Sequence, residues 1–212
     1  MTIVKICGIT SPEHLLVAAA AGAEYVGLVF APSRRQVSIS TAQRLVVTLR
    51  DAGYTTKVVG LFVNESPTII SNVVAHCGLD VVQLHGTEAY DIIAELPDIP
   101  VWRALRLQET HDEEAWVFST NPQVTTMVDA PARATQFGGT GDLANWDAAA
   151  KLARQRRVVL AGGLNPRNIR AAIQRVSPWG VDVSSGVERA GYKDNGLIAA
   201  FIDLAKAASE VA

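Results

Sequence analysis

Short apolar runs alternate with longer segments that carry helix signals along the whole chain. The runs lie at residues 3–7, 25–30, 57–63, 80–84, 101–105, 124–129, 158–161 and 181–183. Several, such as VVGLFV, are apolar throughout, with no strict alternation of apolar and polar residues. Such runs are typical of strands buried on both faces, as in a parallel sheet covered by helices.

The segments between the runs contain residues that favour helix starts and ends. Ser11 and Ser66 each precede a proline, as does Asn165, which suits an N-cap followed by the first helical residue. A final alanine-rich helix is predicted near residues 196–209. Glycines suited to helix ends follow three of the segments, at Gly22, Gly53 and Gly78.

Eight strands, each followed by a helix, predict a single-domain (β/α)8 barrel over residues 1–212. The alternative is an open doubly wound sheet, but no GxGxxG motif follows the first strand. No shift in composition marks a domain boundary. The longest irregular stretch, residues 130–142, is glycine-rich and is predicted to form a loop after the sixth strand.

Composition excludes several classes of protein. With 212 residues, 49% of them hydrophobic and 19% charged, the chain is expected to fold around a sizeable core. Its net charge of −2 argues against a nucleic-acid partner. Two cysteines form no disulfide framework, and neither a signal peptide nor a membrane-spanning run is visible. We therefore expect a cytoplasmic protein with no membrane partner.

The carboxyl ends of the strands are where a barrel of this kind carries its chemistry. Cys7 ends the first strand and could act as a proton-transfer base or nucleophile if its pKa were lowered. Asp129 ends the sixth, where burial could raise its pKa and allow acid catalysis. Both could equally be ordinary structural residues, and Cys77, near a predicted helix end, is expected to be a core residue.

Two glycine-rich turns follow the seventh and eighth strands, the usual place of a phosphate site in this fold. The first contains Gly162 and Gly163, and the second contains Ser184, Ser185 and Gly186. Each turn alone could be merely structural, but the pair at these two strands favours a phosphate site. The loop after the second strand adds two arginines suited to a carboxylate, Arg34 and Arg35.

Six motifs together resemble the phosphoribosylanthranilate isomerase family of tryptophan biosynthesis. They are KICGIT, GLVFAPSRRQVS, VQLHG, FGGTG, GGLNP and VDVSSGVE, and they follow one another in the family's order over nearly the full chain. The resemblance implies a cofactor-independent and metal-free barrel. Its small-molecule substrate is N-(5-phosphoribosyl)anthranilate. The product, 1-(2-carboxyphenylamino)-1-deoxyribulose 5-phosphate, forms by an Amadori rearrangement.

The resemblance also implies roles for residues of the motifs. Cys7 is the implied general base and Asp129 the implied general acid, while Arg35 is preferred over Arg34 for the anthranilate carboxylate. Lys5 shares a strand face with Cys7 and could supply positive charge to it, or could be an interior ion-pair partner. Further substrate contacts are assigned to Lys5, Gln83, His85 and Asp182, and phosphate contacts to Gly162, Gly163, Ser184, Ser185 and Gly186.

Two other functions remain open at this point. One is a pentulose-phosphate epimerase that holds a metal, which the strand ends disfavour because they offer His85, Asp129 and Asp182 but no clear histidine pair. The other is a phosphate-binding barrel without catalysis. The sequence leaves a monomer and a homodimer equally possible.

Overall fold

The eight predicted strands all form, and they close into one parallel barrel in chain order. The structure is a computed structural model that describes residues 1–107, 111–129 and 145–209. Because β1 pairs with both β2 and β8, the sheet has no open edge, and the alternative of a doubly wound sheet is wrong. The strands are β1 Ile3–Cys7, β2 Tyr25–Val29, β3 Lys57–Phe62, β4 Val81–Leu84, β5 Val101–Leu105, β6 Val124–Val128, β7 Val158–Leu160 and β8 Gly180–Val183.

Helices connect most of the strands. They are α1 Pro12–Ala20, α2 Ile39–Asp51, α3 Pro67–Cys77, α4 His111–Val117, α5 Trp146–Ala153, α6 Ile169–Val176 and α7 Asn195–Ser209. Within the described residues none of these helices is long and apolar enough to cross a membrane. Two connections differ from the prediction. After β4 the connection is a 3₁₀ helix, Tyr90–Glu95. After β8 the chain forms a 3₁₀ turn, Ser185–Val187, and then a hairpin. The two strands of this hairpin are β9, Glu188–Arg189, and β10, Tyr192–Lys193.

The predicted N-caps of α1 and α3 are confirmed. The hydroxyl of Ser11 accepts a hydrogen bond from the backbone of His14, and that of Ser66 accepts one from Ile69. The prediction at Asn165 is wrong by several residues. Its carbonyl accepts from the amides of both Asn168 and Ile169, so an extra turn precedes α6.

The two faces of each strand are buried in different surroundings, which explains the unbroken apolar runs. In β1, Val4 and Ile6 face outward into the main apolar core between barrel and helices. Ile3 and Cys7 face inward and pack in separate interior clusters. Cys77 lies buried in the outer core at the end of α3, as predicted, and both cysteines are free thiols.

Aromatic side chains fill the amino-terminal end of the barrel interior. The rings of Tyr25 and Trp102 lie 4.8 Å apart, and Trp179 meets Trp102 edge-on at 6.0 Å. The guanidinium of Arg157 lies over the Trp179 ring. This end of the barrel is therefore closed by packing, which leaves the carboxyl end for a binding site.

Candidate active site

The carboxyl ends of the strands surround a cavity of about 700 Å³. Its lining includes side chains from strands and loops that are distant in sequence but adjacent around the barrel. The residues singled out from the sequence that line it are Cys7, Arg34, Arg35, His85, Asp129, Gly162, Gly163, Asp182, Ser184 and Ser185. The barrel thus brings the predicted acid, base, arginine and glycine-rich turns to a single cavity.

A buried ion pair lies one layer below Cys7. Lys5 is fully buried, and its Nζ donates to Oδ1 of Asp182 at 2.8 Å across the β1–β8 pairing. Burial alone would lower the pKa of Lys5, but the negative charge of Asp182 and the nearby thiol of Cys7 outweigh it and raise that pKa. Lys5 is therefore charged, and it is both an interior ion-pair partner and a source of positive charge beside Cys7.

The pKa of the Cys7 thiol is raised, contrary to the lowering that a base at neutral pH would need. Burial is the largest cause, and the carboxylate of Asp182 adds to it. Lys5 and Lys193 act in the opposite direction but do not compensate for the lost hydration. The expected positive charges are thus present, and burial outweighs them.

Gly27 on β2 gives Lys5 and Cys7 their space. A Cβ atom at this position would lie 2.8 Å from Sγ of Cys7 and 3.1 Å from Nζ of Lys5. Gly27 is paired with Cys7 in the β1–β2 register, so the missing side chain leaves the barrel interior open beside the thiol. Any larger residue would displace one of the two groups.

A histidine orients the predicted acid. Nε2 of His85 lies 2.8 Å from Oδ2 of Asp129, and both side chains are buried. Nε2 of Gln83 lies 3.3 Å from Nδ1 of His85. With the amide donating to Nδ1, the imidazole carries its proton on Nε2 and donates it to Asp129. Gln83 itself is fully buried one layer below the cavity, where it holds the imidazole.

The two arginines of the loop after β2 differ in exposure. The side chain of Arg35 is 14% exposed and that of Arg34 is 55% exposed, although both reach the cavity. Gly8, with a φ of 77°, lies directly below Arg35, and a Cβ there would lie 2.5 Å from its Cδ. The stem of Arg35 therefore packs against the end of β1, which favours it over Arg34 as a fixed ligand.

Residues of both glycine-rich turns line the cavity at the ends of β7 and β8. Gly162 and Gly163 both have positive φ, 79° and 66°, which L-residues with a side chain rarely adopt. Gly186 allows a close backbone contact instead. A Cβ there would lie 1.8 Å from the carbonyl oxygen of Leu164. It lets the loops after β7 and β8 pack against each other, and it supports the turns rather than lining the cavity.

Sequence reasoning missed four residues around this site. Gly8 and Gly27 act by the absence of a side chain, and nothing in the local sequence marks that role. Glu188 and Lys193 lie in the hairpin after β8 and contact Arg35 and Ser184. The acidic residue at the end of VDVSSGVE is a candidate partner for the arginine pair of the loop after β2.

Across residues 1–107, 111–129 and 145–209, no group of three or more His, Cys, Asp or Glu side chains could hold a metal ion. The predicted loop at 130–142 lies outside the described residues.

The fold and the cavity define a class: (β/α)8 barrels with ionisable groups and glycine-rich turns at the carboxyl ends of their strands. The family model described as N-(5'phosphoribosyl)anthranilate (PRA) isomerase matches residues 4–204. The chain therefore belongs to the phosphoribosylanthranilate isomerase family.

Individual relatives agree with this assignment over the full chain. The N-(5'-phosphoribosyl)anthranilate isomerase of Roseiflexus castenholzii is 45% identical over 211 residues, which are 98% of this chain and 99% of that protein. The crystal structure of the Thermotoga maritima isomerase superposes with a TM-score of 0.85 at 38% identity, covering 98% of this chain and 100% of that one. An isomerase in complex with reduced 1-(o-carboxyphenylamino)-1-deoxyribulose 5-phosphate has a TM-score of 0.81 at 36% identity, with 98% and 100% covered.

Proposed function

We propose that this chain converts N-(5-phosphoribosyl)anthranilate into 1-(2-carboxyphenylamino)-1-deoxyribulose 5-phosphate, a step of tryptophan biosynthesis. One observation carries the proposal: Cys7 and Asp129 line the same cavity, with Arg35 and the glycine-rich turns around them. Family membership supports the same reaction. The whole chain serves as one catalytic barrel for a small-molecule substrate.

Asp129 acts as the general acid of the first step. Its proton goes to the ring oxygen of the ribose as the bond between that oxygen and C1′ breaks. The nitrogen lone pair then forms the C1′=N bond of a Schiff base. His85 keeps the carboxyl aimed at the substrate through its 2.8 Å contact. That burial raises the pKa of Asp129 enough to keep it protonated is a prediction made from the sequence alone.

Cys7 acts as the general base of the second step. Its thiolate removes the proton from C2′, and the electron pair forms a C1′=C2′ double bond while the nitrogen becomes neutral. The resulting enolamine gains a proton at C1′ and loses one from the C2′ hydroxyl, which gives the ketose. Reactant and product are isomers, so the nitrogen serves as the internal electron sink and no external oxidant is needed. Each positioned proton-transfer group typically accelerates the reaction roughly 10²–10⁴-fold.

The two anionic ends of the substrate account for the remaining assignments. Arg35 would bind the anthranilate carboxylate, and the turns at Gly162–Gly163 and Ser184–Ser185 would bind the phosphate. Holding both ends fixes the sugar between Cys7 and Asp129. Asp182 lines the cavity, whereas Lys5, Gln83 and Gly186 lie below or beside it. Together these four residues shape the site and set its charge. We also propose a cytoplasmic location, because a phosphorylated carboxylate does not cross membranes unaided.

The test adds N-(5-phosphoribosyl)anthranilate to the purified protein in the presence of EDTA and follows its consumption. We expect turnover that EDTA does not reduce. Loss of activity on chelation would favour the metal-dependent epimerase class instead. Binding of the reduced product analogue without any turnover would favour a binding barrel that lacks catalysis.

A further inference from the structure

A buried carboxylate lies behind Arg35, on the side away from the main cavity. Glu188 begins the hairpin after β8, and its side chain is only 4% exposed. It lines a second, smaller cavity of about 210 Å³, which Arg34, Arg35 and Lys193 also line. The two arginines thus separate Glu188 from the main cavity, so this carboxylate is placed to act on the arginines rather than on the substrate.

Glu188 forms a bidentate ion pair with Arg35 through two parallel hydrogen bonds. Nε of Arg35 donates to Oε1 at 2.7 Å, and Nη2 donates to Oε2 at 3.0 Å. This pair occupies one edge of the planar guanidinium. The end of the fork, formed by Nη1 and Nη2, is the edge left for a second carboxylate. The glutamate therefore fixes the plane in which Arg35 presents its remaining donors.

Lys193 holds the glutamate in place from the other strand of the hairpin. Its Nζ donates to Oε1 of Glu188 at 2.8 Å and to the carbonyl oxygen of Ser184 at 2.8 Å. The hydroxyl of Ser184 in turn donates to the carbonyl oxygen of Cys7 at 3.2 Å. The hairpin is thereby tied to the end of β1, so that Arg35 and Cys7 share one hydrogen-bonded framework.

Glu188 is ionised at neutral pH although its side chain is buried. Burial alone would raise the pKa of Glu188, but the hydrogen bonds from Arg35 and Lys193 outweigh it and lower that pKa. Arg34 adds a further contact to Oε2 at 2.5 Å. One carboxylate among three cations leaves a net positive charge on this side of the cavity, where an anionic substrate group can be attracted.

We propose that Glu188 is a positioning residue that fixes Arg35 for the carboxylate of the substrate, with Lys193 holding Glu188 in place. The inference rests on the proposed function, because it takes the carboxylate to be that of the anthranilate moiety. A free arginine side chain samples many rotamers and loses that freedom when it binds a ligand. A guanidinium that is already held loses less of that entropy when the ligand binds.

The test compares the wild-type enzyme with Glu188→Gln, Arg35→Ala and the double variant. For Glu188→Gln we expect KM for N-(5-phosphoribosyl)anthranilate to rise roughly 10–100-fold, the size of a charge-assisted hydrogen bond, with kcat reduced less than about threefold. In the Arg35→Ala background the same change should raise KM no further, since the guanidinium is gone. Independent, additive losses would overturn the proposal.

A substrate without the carboxylate, N-(5-phosphoribosyl)aniline, separates positioning from general damage to the fold. Its KM should be the same for Glu188→Gln and for the wild-type enzyme, and a parallel rise would overturn the assignment. Arg175→Gln removes an exposed ion pair with Asp147 between α5 and α6, and it is the matched control that leaves both substrates unaffected.

The outcomes also distinguish this inference from the function on which it rests. If the wild-type protein does not consume N-(5-phosphoribosyl)anthranilate, the proposed function fails. If it does and Glu188→Gln keeps a wild-type KM, only the positioning role fails. Should Glu188→Gln not fold, Lys193→Gln removes the ammonium that holds Glu188 in place. It must show a rise in KM in the same direction and the same loss of preference for the carboxylate.

Discussion

The two ends of the barrel interior carry opposite chemistry. At the amino-terminal end, the rings of Tyr25, Trp102 and Trp179 pack within 6.5 Å of one another. At the carboxyl end, ionisable side chains face the cavity. A single strand passes from one environment to the other, because Ile3 packs on the aromatic cluster while Cys7 reaches the cavity only four residues later.

The amino-terminal part of the interior thus stabilises the barrel, and the carboxyl part holds the groups proposed for catalysis. Burial of the aromatic rings contributes favourably to folding because it removes a large apolar area from water. Buried charges such as Lys5 and Asp182 cost desolvation energy that their pairing offsets only in part. Substitutions at the carboxyl end should therefore reduce turnover and leave the free energy of unfolding nearly unchanged. Substitutions at the amino-terminal end should lower the free energy of unfolding and leave turnover nearly unchanged.

The largest expected effect on turnover comes from Asp129→Asn, which keeps the size of the side chain but removes the transferable proton. We expect kcat to fall roughly 10²–10⁴-fold. The free energy of unfolding should change by less than about 1 kcal/mol, since His85 can still donate to the amide oxygen. Steady-state assays with denaturant unfolding check both values. A variant that is unstable rather than inactive would contradict the separation of the two ends.

Trp102→Ala makes the complementary change at the amino-terminal end. Removing this fully buried ring should lower the free energy of unfolding by about 3–5 kcal/mol. Turnover per folded molecule should stay within about threefold of the wild-type value, because the cavity lies at the other end. Phe118→Ala is the matched control, since that ring is 76% exposed and its loss should cost less than about 0.5 kcal/mol.

Gly27→Ala tests the boundary between the two environments. The added methyl would press on Sγ of Cys7, and a displacement of about 1 Å at a reacting group can reduce rate by up to about 100-fold. We expect kcat to fall roughly 10–100-fold on that basis, with a much smaller change in KM. Gly196→Ala, at an exposed glycine of α7, serves as the control. Equal activity of the two variants would show that Cys7 tolerates a neighbour there.

The smallest effect is a pH dependence. Because burial raises the pKa of Cys7, the thiolate is a minor species at neutral pH, and its fraction grows by up to about tenfold per pH unit. The value of kcat/KM should therefore rise from neutral pH into the alkaline range, and the variant Cys7→Ser should lose this rise. A plateau already reached at neutral pH would argue against a buried thiol as the base.

Local sequence patterns predict most of the fold. Apolar runs mark every strand of the barrel, and the closed topology then brings Cys7, His85 and Asp129 together. Local patterns do not predict contacts that join distant residues. Arg35 and Glu188 are 153 residues apart, and no local signal connects them. The start of α6 is misplaced for another reason, since Pro166 follows an asparagine that begins a turn and not the helix itself.

A single turnover of N-(5-phosphoribosyl)anthranilate with enzyme in excess is the most direct test of the central claim, that Cys7 and Asp129 transfer the protons of the rearrangement. Steady-state rates can hide a loss in chemistry when product release is slow, and single-turnover rates do not. We expect Cys7→Ser to be at least about 100-fold slower than wild type, while its affinity for the reduced product analogue stays within about threefold. A Cys7→Ser variant that completes its turnover at nearly the wild-type rate would contradict the account.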